Sequence, residues 1–186
     1  MNRLILTLIL IFSLQFQVNS DDVKSFEIAE MSIGNSLLDY FSEEEINNAR
    51  DESADDKIFI QKTFFAKNTN LYEFLQISFK NSDKKKIIHG IAGAKQFKNN
   101  FDDCLDEMNI IDAELSKLFP NSVRKNWGKY PMASGGGFYY PITYDFKDKS
   151  SAMVSCQNFD SDTNIDDNLK VAVYSSEFGI YLQKQN

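Results

Sequence analysis

Residues 100–119 constrain the fold more than any other stretch, because their apolar residues recur at steps of three and four. This spacing places them on one face of an α-helix. Asp102 and Asp103 near the start and Lys117 near the end complement the helix dipole, and Pro120 marks the end. A helix with one apolar face must pack against a sheet or another helix. The apolar positions of this predicted helix are Phe101, Cys104, Leu105, Met108, Ile111, Leu115, Leu118 and Phe119.

Runs of alternating or β-branched residues predict six strands, three before this helix and three after it. Hairpin-linked strands that helices interrupt are typical of an antiparallel sheet with helices on one side. Gly90 and Gly93 inside the third strand indicate a bulge or a close backbone approach. The segments 47–57 and 121–137 are predicted to be loops. The predicted strands are 58–66, 72–80, 86–97, 138–146, 151–159 and 168–175.

Serine followed three residues later by an acid predicts short capped helices at about 36–41 and 43–49. Ser176 is predicted to cap another short helix. We therefore expect residues 21–186 to form a single α+β domain, which is long enough to bury a core of its own. Its fold would be an antiparallel sheet of about six strands with one long amphipathic helix and short flanking helices.

The chain has two cysteines, and we predict that they form a structural disulfide. Cys104 lies on the apolar face of the long helix, and Cys156 lies in the middle of a predicted strand. Packing of the helix face on the sheet would bring the two sulfur atoms together. No Cys-x-x-Cys motif is present to set a redox potential. Two separate buried thiols are the remaining alternative.

The first 20 residues have the features of a secretory signal peptide. Arg3 supplies a positive start, residues 4–16 form a nearly unbroken apolar run, and small residues precede a cleavage site before Asp21. The run is about 13 residues long, whereas a membrane-spanning helix needs about 20. We therefore expect cleavage after residue 20, no membrane insertion afterwards, and a periplasmic or secreted protein. Disulfides form in such compartments.

The charge balance limits the classes of partner. The chain carries 27 acidic and 20 basic residues, for a net charge of −7 at pH 7. Nucleic acids and anionic membranes attract clustered Lys and Arg, so neither is an expected partner. No phosphate-loop or dinucleotide fingerprint is present, and no cofactor is predicted. A protein, a peptide or a small molecule remains as the partner, and the sequence leaves the oligomeric state open.

The only histidine limits the catalytic chemistry. Metal sites that need two histidines are excluded, and a nucleophile–histidine arrangement could use only His89. His89 lies within a predicted strand, where a lone histidine is usually a hydrogen-bonded structural residue. A role for His89 in ligand binding or catalysis is the alternative interpretation.

Two further segments are candidate binding sites. Residues 124–130 interleave basic and aromatic side chains, so Trp127 and Tyr130 could bind a ligand by stacking and cation–π contact. The alternative is that Trp127 anchors a loop to the core. The loop 160–166 has oxygen ligands at the spacing of a calcium loop, but Ile165 replaces its glycine and Val171 its last acidic ligand. The weak calcium candidates are Asp160, Asp162, Asn164 and Asp166; an ordinary solvated hairpin is the favoured interpretation.

Residues 26–46 resemble the opening of a group of small exported proteins from marine alphaproteobacteria. The resemblance rests on Phe26-Glu27-Ile28 and on the run from Met31 to Ile46, and the later Ile88-His89-Gly90-Ile91, Gly93, Phe97, Cys104 and Leu118-Phe119 are similar in order and spacing. It spans most of residues 23–119. It implies export and an α+β domain, and it carries over no catalytic residue.

These observations favour an exported protein without enzymatic activity that binds a partner or serves as an envelope accessory domain. Its aromatic-rich strands and the 121–137 segment would form the binding surface. The alternative is a carboxylate-dependent hydrolase that uses His89. Acid–base chemistry of that kind needs two carboxyl groups about 5–10 Å apart in a cleft, and no pair of the 27 acidic residues stands out.

Overall fold

The computed structural model describes residues 22–67, 71–98, 100–132, 135–163 and 165–185. Within these residues, nine strands form one antiparallel sheet. The strands pair in the order β1-β2-β3-β4-β9-β8-β7-β5, and β6 pairs with the start of β7. The predicted signal peptide lies outside the described residues, as do residues 68–70 between the first two predicted strands. The strands are β1 (Arg50–Asp51), β2 (Phe59–Phe65), β3 (Phe74–Lys80), β4 (Ile88–Phe97), β5 (Val123–Asn126), β6 (Tyr130–Pro131), β7 (Gly137–Asp145), β8 (Ser151–Phe159) and β9 (Asp167–Tyr174).

Three α-helices and two single-turn 3-10 helices accompany this sheet in the described residues. The α-helices are α1 (Glu43–Asn48), α2 (Phe101–Leu118) and α3 (Ser176–Gln185), and the 3-10 helices are Val23–Ser25 and Leu37–Asp39. The predicted capping box at the start of α1 is confirmed, because Ser42 and Glu45 exchange hydrogen bonds. The cap of α3 is one residue earlier than predicted: the Ser175 hydroxyl accepts the backbone N–H of Phe178.

The prediction of about six strands is wrong in number, although the α+β class is confirmed. Two meanders, β2–β3–β4 and β7–β8–β9, meet where β4 pairs with β9. The additional strands are β1, β5 and β6, and they lie in the segments 47–57 and 121–137 that were predicted to be loops. Their residues are exposed, so no apolar alternation marks them. They pair through the backbone with a longer neighbour, and such pairing leaves no pattern in the side chains.

The main core lies between one face of the sheet and a layer formed by α2 and the N-terminal segment. Helix α2 packs chiefly on β8 and β9. Of the eight predicted apolar positions, only Cys104, Met108, Leu115 and the capping residue Phe119 are fully buried, so the amphipathic prediction is matched in part. The predicted disulfide is present: Cys104 bonds Cys156 of β8, with 6.0 Å between their Cα atoms. It ties the helix covalently to the sheet.

Helix α3 lies on the opposite face of the sheet, so the helices do not share one side as expected. Phe178 packs between Phe59 of β2 and Tyr174 of β9. The glycine at Gly90 makes this approach possible, because a Cβ there would lie 2.8 Å from the Phe178 ring. The bulge predicted in β4 is also present, where the β3–β4 register shifts beside His89. Helix α3 covers only one end of this face.

A partly buried polar network joins α2 to the short strand β5. Asp112 of α2 accepts two hydrogen bonds from the Arg124 guanidinium, at 2.8 and 2.7 Å, and a further one from the Tyr144 hydroxyl. The Ser116 hydroxyl forms a hydrogen bond with the same Tyr144 hydroxyl, at 2.8 Å. The bonds from Arg124 hold the pKa of Asp112 below its usual value, against the opposing effect of burial. The carboxylate form therefore stabilises the fold.

Because the pKa of Asp112 is lowered in the folded state, its contribution is present above about pH 4 and is lost as the pH falls through the folded-state pKa. We expect the wild type to lose more stability between about pH 4 and pH 2 than Asp112→Asn, which cannot titrate there. Thermal unfolding followed by circular dichroism across this range measures the difference. The other acidic residues titrate in both proteins, so they do not contribute to the difference. Parallel curves of stability against pH for the two proteins would contradict a stabilising role for the Asp112 carboxylate.

Candidate functional site

The sheet face opposite α2, here called the open face, carries three rows of side chains that run across the strands. Alternation along each strand and the observed registers place these side chains together. Polar and aromatic residues dominate where α3 does not cover the face. The first row is Pro141, Ser155, Lys170, Ala94, Phe74 and Phe65; the second is Tyr130, Tyr139, Gln157, Asn168 and Gln96; the third is Thr143, Met153, Ala172, Ala92, Gln76 and Thr63.

A cavity of about 470 Å³ opens on this face, at the end away from α3. Its floor is formed by β2, β3, β4, β8 and β9. Strand β1 and the loop between β8 and β9, through Ile165 and Asp166, form its edges. Pockets of this size accommodate small organic ligands.

Lys170 lies at the centre of the polar part of the cavity. Its ammonium group donates a hydrogen bond to the side-chain oxygen of Gln76, at 2.7 Å. The Gln76 amide in turn donates to the Glu52 carboxylate at 2.6 Å, and Arg50 lies 3.2 Å from the other oxygen of that carboxylate. These four side chains form a polar chain from β9 to the sheet edge at β1, and Gln76 separates the lysine from the nearest acid in it.

Burial in the cavity lowers the pKa of Lys170, and the negative charge of Glu52 opposes this shift only in part. Among the described residues Lys170 forms no ion pair. A buried ammonium that has one neutral hydrogen-bond acceptor is costly unless a further partner satisfies it. The cavity therefore contains a cationic group with unused donors.

Two more polar groups near Lys170 have no hydrogen-bond partner. They are the Ser155 hydroxyl and the side-chain oxygen of Asn168, and they are the only buried side-chain atoms of this kind in the described part of the chain. Ser155 is fully buried and lies directly across from Lys170 in the β8–β9 register, while Asn168 is two positions along the same strand. Unsatisfied buried polar groups are rare in native proteins and often mark a site that is completed by a ligand or water.

Apolar side chains complete the cavity wall opposite these polar groups. The rings of Phe65 and Phe74 lie 5.3 Å apart, and Phe159 and Ile165 stand on the other side of the opening. Phe65 is 78% exposed and Ile165 is 50% exposed. An apolar ligand body placed between them would remove this surface from water.

The structure places the predicted ligand residues Trp127 and Tyr130 on the open face, outside this cavity. The Trp127 ring nitrogen donates to the Thr143 hydroxyl at 3.1 Å, and Lys125 lies over the ring. Tyr130 makes an edge contact with Tyr139. Both Trp127 and Tyr130 are about half exposed, so each is available to a ligand. Their predicted role in binding stays a prediction.

His89 occupies a different place, beneath the start of α3. Its Nδ1 atom is 3.1 Å from the Ser175 hydroxyl that caps α3, and its ring meets Phe59 edge-on. Burial lowers its pKa, and the nearest acid, Glu177, is 3.8 Å away. His89 does not line the cavity around Lys170. The contacts of His89 support α3, and they bring no carboxylate within hydrogen-bond distance.

The calcium candidates are spread along the loop between β8 and β9. The Asp160 carbonyl accepts hydrogen bonds from Thr163, and Asp166 lines the cavity. Asn164 lies outside the described residues. Within the described ranges, no three side chains of His, Cys, Asp or Glu are grouped so as to hold a metal ion.

The sequence interpretation missed Lys170, Gln76, Asn168 and Glu52. A usable signal was present in β9, where Asn168 and Lys170 alternate with the buried apolar residues of one strand. What the sequence lacked was the pairing of β4 with β9, which brings together residues 94 positions apart.

Comparison with protein-family models, with curated protein sequences and with solved structures found no match to this chain. No helix in the described ranges is both long and apolar enough to span a membrane. The geometry of the open face is therefore the basis on which a function can be assigned.

Proposed function

We propose that this protein is an exported, non-enzymatic binding domain and that the cavity around Lys170 is its ligand site. The observation that carries the proposal is the combination, in one cavity, of the Lys170 ammonium without an ion-pair partner, the unpaired Asn168 oxygen and the exposed ring of Phe65 beside Phe74. Location in the periplasm or outside the cell is part of the proposal. The Cys104–Cys156 disulfide supports it, because such bonds persist in oxidising compartments.

The alternative hydrolase receives no support of this kind. The hydroxyl next to His89 is used to cap α3, and Glu177 lies beyond hydrogen-bond distance. A general base must reach the proton that it removes, directly or through one water. We therefore assign binding rather than catalysis to the open face.

A panel of defined probes tests the site: free amino acids, small carboxylic acids, aromatic acids and alcohols, and mono- and disaccharides. Each is titrated into isotope-labelled protein, and the backbone amide shifts are followed by NMR. At least one probe class is expected to shift amides of β3, β4, β8 and β9 around Lys170. The Ala94→Phe variant fills the cavity floor with a ring and should abolish those shifts.

The matched control is Trp127→Ala, which alters the other candidate region of the same face. It should leave the shifts around Lys170 unchanged. If Trp127→Ala removes binding and Ala94→Phe does not, the ligand site lies at β5 and β6 instead. If no probe shifts the cavity amides, the proposed function is wrong. Circular dichroism confirms that each variant is folded before the comparison is made.

A further inference from the structure

We propose that the ligand of this cavity is a small organic acid, bound as its carboxylate anion against Lys170 with an apolar or aromatic body between the phenylalanine rings. This inference rests on the proposed function, since it names the chemical class that the site takes. It follows from the unused hydrogen-bonding groups of the cavity and from their arrangement relative to the apolar wall.

Lys170 keeps unused hydrogen-bond donors in a cavity whose lining is formally neutral, with Arg50 and Lys170 against Glu52 and Asp166. The Lys170 ammonium has three N–H donors, and Gln76 accepts one of them. Glu52 is held by Gln76 and Arg50, so it does not reach the lysine. A carboxylate ligand can accept the remaining donors as charge-assisted hydrogen bonds, which are about twice as strong as neutral ones.

Two unpaired polar groups lie beside Lys170, the Ser155 hydroxyl and the Asn168 side-chain oxygen. Ser155 is fully buried and does not line the cavity, so the carboxylate is assigned to Lys170 alone. The Asn168 oxygen, one row further along, is an acceptor without a donor. It suits a hydroxyl or N–H group carried elsewhere on the same ligand.

The apolar wall of the cavity can hold the body of the ligand. Phe74 and Phe65 continue the same row as Ser155 and Lys170, on the far side of Ala94. The small side chain of Ala94 leaves room above the sheet between the lysine and the rings. An anion held at Lys170 therefore extends its apolar body over Ala94 towards Phe74 and Phe65. A polar sugar would leave these rings without an apolar contact.

Two matched probes separate charge from shape: 3-phenylpropionate and its neutral analogue 3-phenyl-1-propanol. We expect the acid to bind at least about tenfold more tightly than the alcohol, because only the acid makes charge-assisted hydrogen bonds. Isothermal titration calorimetry gives both affinities. NMR shifts around Lys170 confirm that both probes occupy the cavity.

The decisive variant is Lys170→Met, which keeps an apolar stem and removes the charge. The variant should bind the acid at least about tenfold more weakly than the wild type does and should bind the alcohol with nearly unchanged affinity. Lys170→Arg should restore part of the affinity for the acid. The Lys170→Met substitution removes an unpaired charge but leaves the Gln76 oxygen without its donor, so circular dichroism confirms that this variant is folded before affinities are compared. The control is Lys125→Met, since Lys125 lies on β5 and pairs with Asp145 outside the cavity.

Equal affinities for the acid and the alcohol, or an unchanged affinity of the acid in Lys170→Met, would overturn the anion proposal. The proposed function would survive that result as long as another probe class shifts the cavity amides. Absence of binding by either probe also counts against the anion proposal. If no probe class binds in the cavity, both the anion proposal and the proposed function are overturned.

Discussion

Exchange of both cysteines in Cys104→Ala/Cys156→Ala is expected to lower the free energy of unfolding by about 4 kcal/mol. The bond closes a chain segment with a sequence separation of 52 residues, and both cysteines are fully buried. Its loss releases that loop in the unfolded state, which gains conformational entropy. Differential scanning calorimetry should show a Tm lower by about 8–16 °C for a domain of this size.

Reduction provides the matched control for this prediction. Dithiothreitol should lower the Tm of the wild type towards that of the double variant and should not change the variant itself. The wild type without reductant should show no free thiol on titration under denaturing conditions. A wild-type Tm that does not respond to reductant under conditions that release both thiols would contradict a stabilising role for the bond.

The long helix and the disulfide could be predicted from the sequence because both depend on local signals. A step of three and four residues places Cys104 on the apolar face of α2, and alternation places Cys156 on one face of β8. Burial of both faces then leaves one arrangement in which the sulfur atoms meet. The same reasoning located all six long strands, since each has its own side-chain pattern.

The short strands and α3 show where local signals end. Strands β1, β5 and β6 are exposed, and backbone pairing with β2 and β7 defines them. The side of the sheet on which α3 packs depends on the space left by Gly90, 88 positions before Phe178 in the chain. No periodicity within residues 176–185 contains that information.

The candidate site could not be predicted for the same reason. Lys170 and Gln76 come from β9 and β3, and Glu52 directly follows β1; the β4–β9 pairing brings these segments together. Each of them alone is an ordinary polar residue. The predicted residues Trp127 and Tyr130 stood out by composition, and they do lie on the same face. Aromatic composition therefore singled out residues that lie on this face, while the position of the cavity needed the strand order.

The Phe178→Ala variant should lose about 3–5 kcal/mol of stability, as expected for truncation of a fully buried ring. The ring contacts Phe59 at 5.0 Å and Tyr174 at 5.7 Å between centroids, and it covers Gly90. These contacts hold α3 on the open face. Their loss should also raise hydrogen exchange at the amide of Ser175, which donates to the His89 carbonyl at 2.7 Å.

The control for this variant is Ile180→Ala, which shortens a 37% exposed side chain of the same helix. It should cost under about 1 kcal/mol, because little apolar surface is lost from the core. Urea unfolding measures both variants, and native-state hydrogen exchange tests whether α3 detaches while α2 and the disulfide remain in place. Similar losses for the two variants would mean that Phe178 does not anchor α3. If α3 does detach, the cavity around Lys170 should still bind its ligand, since no residue of that helix lines it.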